Sequence, residues 1–358
     1  MRRFLLHTAI LAGIAGVCGA LVVGFGLFDV SARKGHLPGV SWVLHTAFRN
    51  AVELRAPSAE AVPDLSDPDL VALGARHYDG ACRVCHAAPG EARTATVRAM
   101  LPAPPPIREA VADWEPQHLF AIVKHGVKMS GMPAWPTDRR DDDVWPVVAF
   151  LTRVPDMTLA QYEDLVAAPE RTEQGDDTTV AYCASCHGAD GRGRDNAHIP
   201  RLDLLSEAYI AATLAAYRSG ARESGIMRHA ASTLDDTDDA RLARLFARQD
   251  GETAPQPAPA VDADLVARGR SLATGASPAS TKVPACAACH GPWPQRLSAD
   301  FPRLSGQPEP YLRRQLELWR AEERGGTARA PLMHEAARAL EDADIRALAA
   351  FYAAQPPE

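Results

Sequence analysis

Aromatic residues make up only 6% of the 358-residue chain. A sequence so poor in Phe, Trp and Tyr builds modest protein cores, and small domains made from it need apolar surface from another source. Basic residues form no patch: Lys and Arg number 38 against 45 Asp and Glu, net −7, which excludes nucleic acid as a partner. Nor is there a nucleophile beside a base, a paired acid and base, or a glycine-rich phosphate loop, so hydrolytic and nucleotide chemistry have no sequence support. The charge is uneven, net +4 over residues 1–59 and then −6 over 60–168 and −5 over 169–252. An acidic face can steer a basic partner, but a solvated surface is its commoner meaning.

Cysteines are also few, seven in all, yet six of them fall in one repeated phrase: Cys82-Arg83-Val84-Cys85-His86, Cys183-Ala184-Ser185-Cys186-His187 and Cys286-Ala287-Ala288-Cys289-His290. C-x-x-C-H is the attachment signature of c-type haem. Thiols one helical turn apart each bond a vinyl group of one porphyrin, and the adjoining histidine ligates the iron. A structural zinc site would need a second pair of ligands close to each cysteine pair, and none follows. Disulfides would leave the three histidines unexplained. The spacing therefore predicts three covalently bound haem c groups, on Cys82 and Cys85, Cys183 and Cys186, and Cys286 and Cys289. A buried porphyrin would supply the missing apolar surface.

Ahead of the motifs, Arg2 and Arg3 precede an apolar run from Phe4 to Phe28 broken only by His7 and Thr8. The run exceeds the core of a cleaved signal and matches a bilayer span, so residues 1–30 are read as an uncleaved signal anchor. The arginines would stay in the cytoplasm and the rest would be exported to the periplasm, anchored by a single pass in the bacterial inner membrane. Cys18 is an apolar residue of the span. Residues 31–68 form an amphipathic segment, with a helix over Ser41 to Arg55, and a linker; packing on the first domain is preferred to lying on the membrane. Three domains follow, over 69–168, 169–250 and 261–358, the last two separated by a Pro/Ala linker at 251–260. The order lead-in helix, haem motif, helix, Met, closing helix recurs, with Pro-Arg-Leu after the second and third motifs, and the repeat is evidence for copies of one all-α fold.

The sixth ligand decides what each haem does, and methionine there favours electron transfer. Met227 and Met333 are each the one methionine between haem motif and domain end, some forty residues after the histidine. Domain one offers Met129 and Met132; Met132 is preferred because Gly131 and Pro133 shape its loop. The axial pairs are then His86 with Met132, His187 with Met227 and His290 with Met333. His125, His229 and His334 lie near these methionines but at unequal places in the repeats, and are taken as surface or loop residues. His77 is taken as a surface residue of its helix. Pro200 and Pro302, thirteen and twelve residues after their histidines, are placed to accept from the imidazoles. Arg201 and Arg303 are either propionate partners or solvated.

With these residues in view the chain resembles the class I c-type cytochromes. Residues 169–355 resemble the dihaem cytochrome c4 family, through CASCHGADGRG with Pro-Arg-Leu and YRSGAR, then CAACHG, PRLSGQPEPYLRRQL and DIRALAAFYAAQ. Residues 66–165 are similar to single-haem cytochrome c domains through VKHGVKMSGMPAW. Domain two departs from the pattern, with Leu202-Asp203-Leu204-Leu205 where L-x-G-Q is usual, and with a short lead-in helix. The resemblance implies an all-α fold, His/Met haems and periplasmic electron carriage, often towards a terminal oxidase.

The expected function is thus a membrane-anchored trihaem relay between respiratory partners, not itself an enzyme. The partners would be a terminal oxidase, a quinol-oxidising complex or a dehydrogenase. A cytochrome subunit of a periplasmic dehydrogenase has the same sequence signature. The rival class is a haem enzyme, a peroxidase or nitrogen-oxide reductase, or a gas sensor, any of which needs an open haem, most plausibly in domain one.

Overall fold

The computed structural model describes residues 1–128, 130–167, 177–247, 262–276, 283–292, 298 and 300–357. Among these residues every regular element is helical and none is a strand, the expected all-α class. The linker at 251–260, half of the loop insertion at 273–284, and Met129 lie outside the described residues.

Helix α1 (Arg2–Gly24) has 23 residues, a mean hydropathy of 2.1 and no buried residue. At 1.5 Å per residue it spans a hydrocarbon layer of about 30 Å. It is the one helix among the described residues long and apolar enough to cross a membrane. Helix α2 (Val40–Arg55) packs rather than floats. Phe48 meets Trp114 edge-on at 5.7 Å, Arg49 sits 4.7 Å over the same ring, and Val52 is buried.

Three hydrophobic clusters then follow, each beside one Cys-pair motif. The first is built from α3 (Pro68–Ala81), α4 (Arg83–His86), α5 (Ala95–Arg98), α6 (Ile107–Val111), α7 (Pro116–His125), α8 (Trp145–Leu151) and α9 (Leu159–Val166). Asp67 caps α3 by accepting from the Asp69 N–H, and Pro68 fills the first turn, where a missing donor does no harm. Gly74 lets α3 cross α8 closely: a Cβ there would stand 1.9 Å from the Pro146 carbonyl oxygen. The sequence reading did not foresee α9. Its Tyr162 is fully buried against Tyr78 and Phe150 and donates to Asp79 at 2.7 Å.

The second cluster comprises α10 (Thr178–His187), α11 (Glu207–Ser219), α12 (Gly225–Ala231) and α13 (Asp236–Phe246). Asp177, Ser206, Ser224 and Asp235 cap them in turn, each accepting from backbone N–H groups of its helix's first turn. The third comprises α14 (Ala263–Ala273), α15 (Ala287–His290), α16 (Glu309–Arg320), α17 (Ala330–Ala337) and α18 (Asp342–Ala353). Gly269 repeats the device of Gly74, with a Cβ 2.0 Å from the Ala347 carbonyl oxygen where α14 crosses α18.

The clusters are docked. His198 pairs with Asp67 at 2.7 Å and Asn196 donates to the Asp69 carbonyl at 2.8 Å, joining second to first. The Gln307 side chain accepts from the Arg201 N–H at 3.0 Å and donates to the Arg201 carbonyl at 2.7 Å, joining third to second. The acidic run of the first cluster is not wholly a solvated face, because Asp143 is 8% exposed and Arg140 bonds it at 2.6 Å.

Candidate haem-binding site

The three motif histidines occupy helix ends. His86 closes α4, His187 closes α10 and His290 closes α15. Each donates its Nδ1–H to a proline carbonyl: His86 to Pro105 at 2.8 Å, His187 to Pro200 at 3.4 Å and His290 to Pro302 at 2.9 Å. A carbonyl can only accept, so the tautomer is fixed and the Nε2 lone pair is left for a metal. Burial holds the imidazole neutral, pushing His187 down to about 4, against a small opposing push from the Pro200 bond. His86 moves the same way, through burial first. Pro200 and Pro302 lie where the sequence placed them. Pro105 was missed, although the run Pro102 to Pro106 marked the segment as a stiff loop.

All six motif cysteines are free, as is Cys18, so the disulfide alternative has no counterpart in the structure. Burial pushes the Cys82 thiol up to about 12 and those of Cys183 and Cys286 to about 11. Such thiols stay protonated and are poor nucleophiles at neutral pH. Among the described residues no group of three or more His, Cys, Asp or Glu side chains gathers to hold a bare metal ion.

In the second cluster, Cys183, Cys186, His187 and Met227 open onto one cavity of about 1020 Å³, with Ile210, Leu242 and Phe246 on its walls. The first and third clusters contribute further walls, through residues such as Arg76 and Pro146 from one and Tyr311 and Leu318 from the other. In the third cluster Met333, on α17, and Cys286 pack against the same core. Met132 sits half-buried in the turn after α7, its N–H bonded to Ser130 Oγ at 3.1 Å and its carbonyl accepting from Val127 at 3.1 Å. Gly126 (φ +61°) makes that return possible, since a Cβ there would strike the Pro133 backbone at 2.5 Å. Met100, which the sequence gave no reason to single out, lies against Gly131 of this loop.

The remaining histidines and arginines fall as follows. His125 is exposed, as expected. His334 is engaged elsewhere, its ring bonded to the Arg324 carbonyl at 2.7 Å. His77 corrects the surface expectation: it is 5% exposed, stacked edge-on at 5.0 Å from Trp135 and 5.7 Å from His229. Burial, and then His229, lower it to about 3. Arg201 is not solvated; it is 1% exposed and bonded to Asp203 at 3.0 and 2.5 Å. Arg303 is half-buried.

Haem fits these residues. The cavity matches the size of cofactor pockets, roughly 300–1,000 Å³. Its donor set holds two thiols for vinyl groups, an imidazole and a thioether. On its wall the Arg76 Nη1 is buried without a hydrogen-bond partner, the kind of donor that a cofactor's carboxylates satisfy. The residues define a protein that holds haem through thioethers and a histidine.

Comparison with known proteins agrees. Residues 69–151 match the family described as cytochrome c oxidase, cbb3-type, subunit III. The thiosulfate dehydrogenase electron acceptor of Stutzerimonas stutzeri is 38% identical over 51% of this chain and 82% of its own length. That of Thiomonas intermedia is 35% identical over 49% of this chain and 80% of its own. Cytochrome c4 of Pseudomonas aeruginosa is 31% identical over 48% and 83%. The chain belongs to the class I c-type cytochromes and is related to cytochrome c4 and to these electron acceptors.

Proposed function

We propose that the chain is a membrane-anchored cytochrome of three tandem domains, with one haem c in each, that relays electrons at the periplasmic face. The observation that carries the reading is the convergence of His187, Met227, Cys183 and Cys186 on one cavity lined by residues of all three clusters. Haem held in this way supplies a one-electron couple with no open coordination position, at a potential raised by methionine. The protein's own residues do the rest. The proline carbonyls hold each imidazole in one tautomer and orientation, and the thioethers of Met132, Met227 and Met333 would join His86, His187 and His290 in holding the haem irons. Residues of the first and third domains line the rest of that cavity, and partners are read as reaching the chain through domains one and three. Nothing in this arrangement binds a substrate, and the protein is read as an electron carrier rather than an enzyme. Helix α1 is read as the single inner-membrane anchor, with the haem domains in the periplasm.

The relatives named as electron acceptors of thiosulfate dehydrogenase favour a dehydrogenase as electron donor. The match of residues 69–151 to an oxidase subunit family favours a terminal oxidase, served through domain one, as acceptor. Mixing the haem-loaded protein with a thiosulfate dehydrogenase and thiosulfate tests the donor side. The reading expects all three haems to reduce in the presence of both and none with thiosulfate alone. Reduction by thiosulfate without the dehydrogenase would sink it.

A further inference from the structure

We propose that Asp143, a residue of the first cluster, is a positioning residue for Met227 of the second, acting through the capping hydroxyl of Ser224. The inference rests on Met227 being the sixth ligand of the second haem. Ser224 stands immediately before α12 in extended conformation, and its Oγ accepts from the Met227 N–H at 3.2 Å. The same hydroxyl donates to Asp143 Oδ2 at 2.7 Å, and the Gly225 N–H donates to that oxygen at 2.9 Å. Asp143 Oδ1 is held by Arg140 at 2.6 Å, and Arg140 also donates to the Glu223 carbonyl at 2.8 Å. Three successive residues, 223 to 225, are therefore bonded to the first cluster, and Met227 follows within one turn.

Water cannot replace these bonds, because Asp143 is 8%, Arg140 7% and Ser224 4% exposed. Two further contacts fix the same helix. Gly225 lies flush on the Trp135 indole, where a Cβ would stand 2.0 Å from Nε1, and Arg228 donates to the Pro136 carbonyl at 3.0 Å. A helix of seven residues has little stability of its own, so its caps and packing set its position. Here the carboxylate that holds the cap belongs to another cluster, and its docking sets where the Met227 thioether stands over the cavity.

The test is a potentiometric titration, followed optically, of the full-length haem-loaded protein in detergent. Met227→His identifies the wave of the second haem. Asp143→Ala and Ser224→Ala are expected to lower the midpoint of that wave alone and to remove up to a third of the long-wavelength band of iron–methionine ligation. Ser224→Thr, which keeps the hydroxyl, is expected to restore both. Asp143→Ala takes one of two carboxylates from the buried Arg140, which keeps Asp142, so if that variant does not accumulate the Ser224 pair decides. Three unchanged waves, or three waves shifting together, would overturn the inference. A Met227→His protein with the wild-type spectrum would instead overturn the ligand assignment beneath it.

Discussion

His86, His187 and His290 each commit one ring nitrogen to a proline carbonyl, and this bond does more at the residue scale than the signature alone. The motif made the histidines legible in the sequence, and proline spacing made two of the three acceptors legible. Pro105 escaped because the first loop has a different length and several prolines to choose from. Gln307 was quoted only as part of a family pattern, and what it bonds is a contact across clusters that no local spacing reveals. Gln307→Ala removes two hydrogen bonds to the buried Arg201 backbone, about 0.5–1.5 kcal/mol each. The denaturation midpoint should fall, with Gln307→Glu, which keeps the acceptor, lying between the two. A midpoint equal to wild type would show the bond to be dispensable. Gly269→Ala drives a Cβ into the Ala347 carbonyl and should lower stability by about 1–3 kcal/mol, read as a drop in Tm.

At the scale of elements, the helix expected over Ser41 to Arg55 was legible, and α2 falls there. The methionine-bearing α12 and α17, seven and eight residues long, had no counterpart in the sequence expectations. Too few turns fit in such lengths for periodicity to show, and tertiary contacts hold them. Met333→Ala should remove one of three methionine-ligated signals and lower one midpoint potential, leaving the other two; an unchanged spectrum would release Met333 from its role. The contact of α3 with the loop after α10 carries a pH dependence. Burial pushes the Asp67 carboxyl up, but hydrogen bonds from His198 and the Asp69 N–H outweigh it and leave it below 3.8. A depressed carboxylate lends stability above its ordinary pKa and loses it as pH falls through the folded value. Acid denaturation below about pH 4 should therefore be milder in Asp67→Asn, which keeps the cap and removes the charge. Identical acid profiles would remove Asp67 from the account.

For the whole molecule, the all-α class and the one apolar N-terminal helix were legible because repeats and long hydrophobic runs are global signals. The docking of the clusters was not. It rests on single residues far apart in sequence, such as Tyr182 against Gly80, Arg314 near Asp142 at 3.8 Å, and Ser224 bonded at 2.7 Å to Asp143, a residue that composition made look solvated. The lining of the central cavity by residues of all three clusters follows from that docking, and the proposed relay, in which outer domains meet partners and the middle one connects them, is built on it. The central claim is three covalent haems, each with one histidine and one methionine. It is tested most directly by an optical and EPR redox titration of the intact protein, with haem number taken from its mass. The account predicts three haems, all low-spin, three one-electron waves and methionine ligation at each. A five-coordinate high-spin haem, or one with two histidines, that turned over peroxide or nitrite would contradict it.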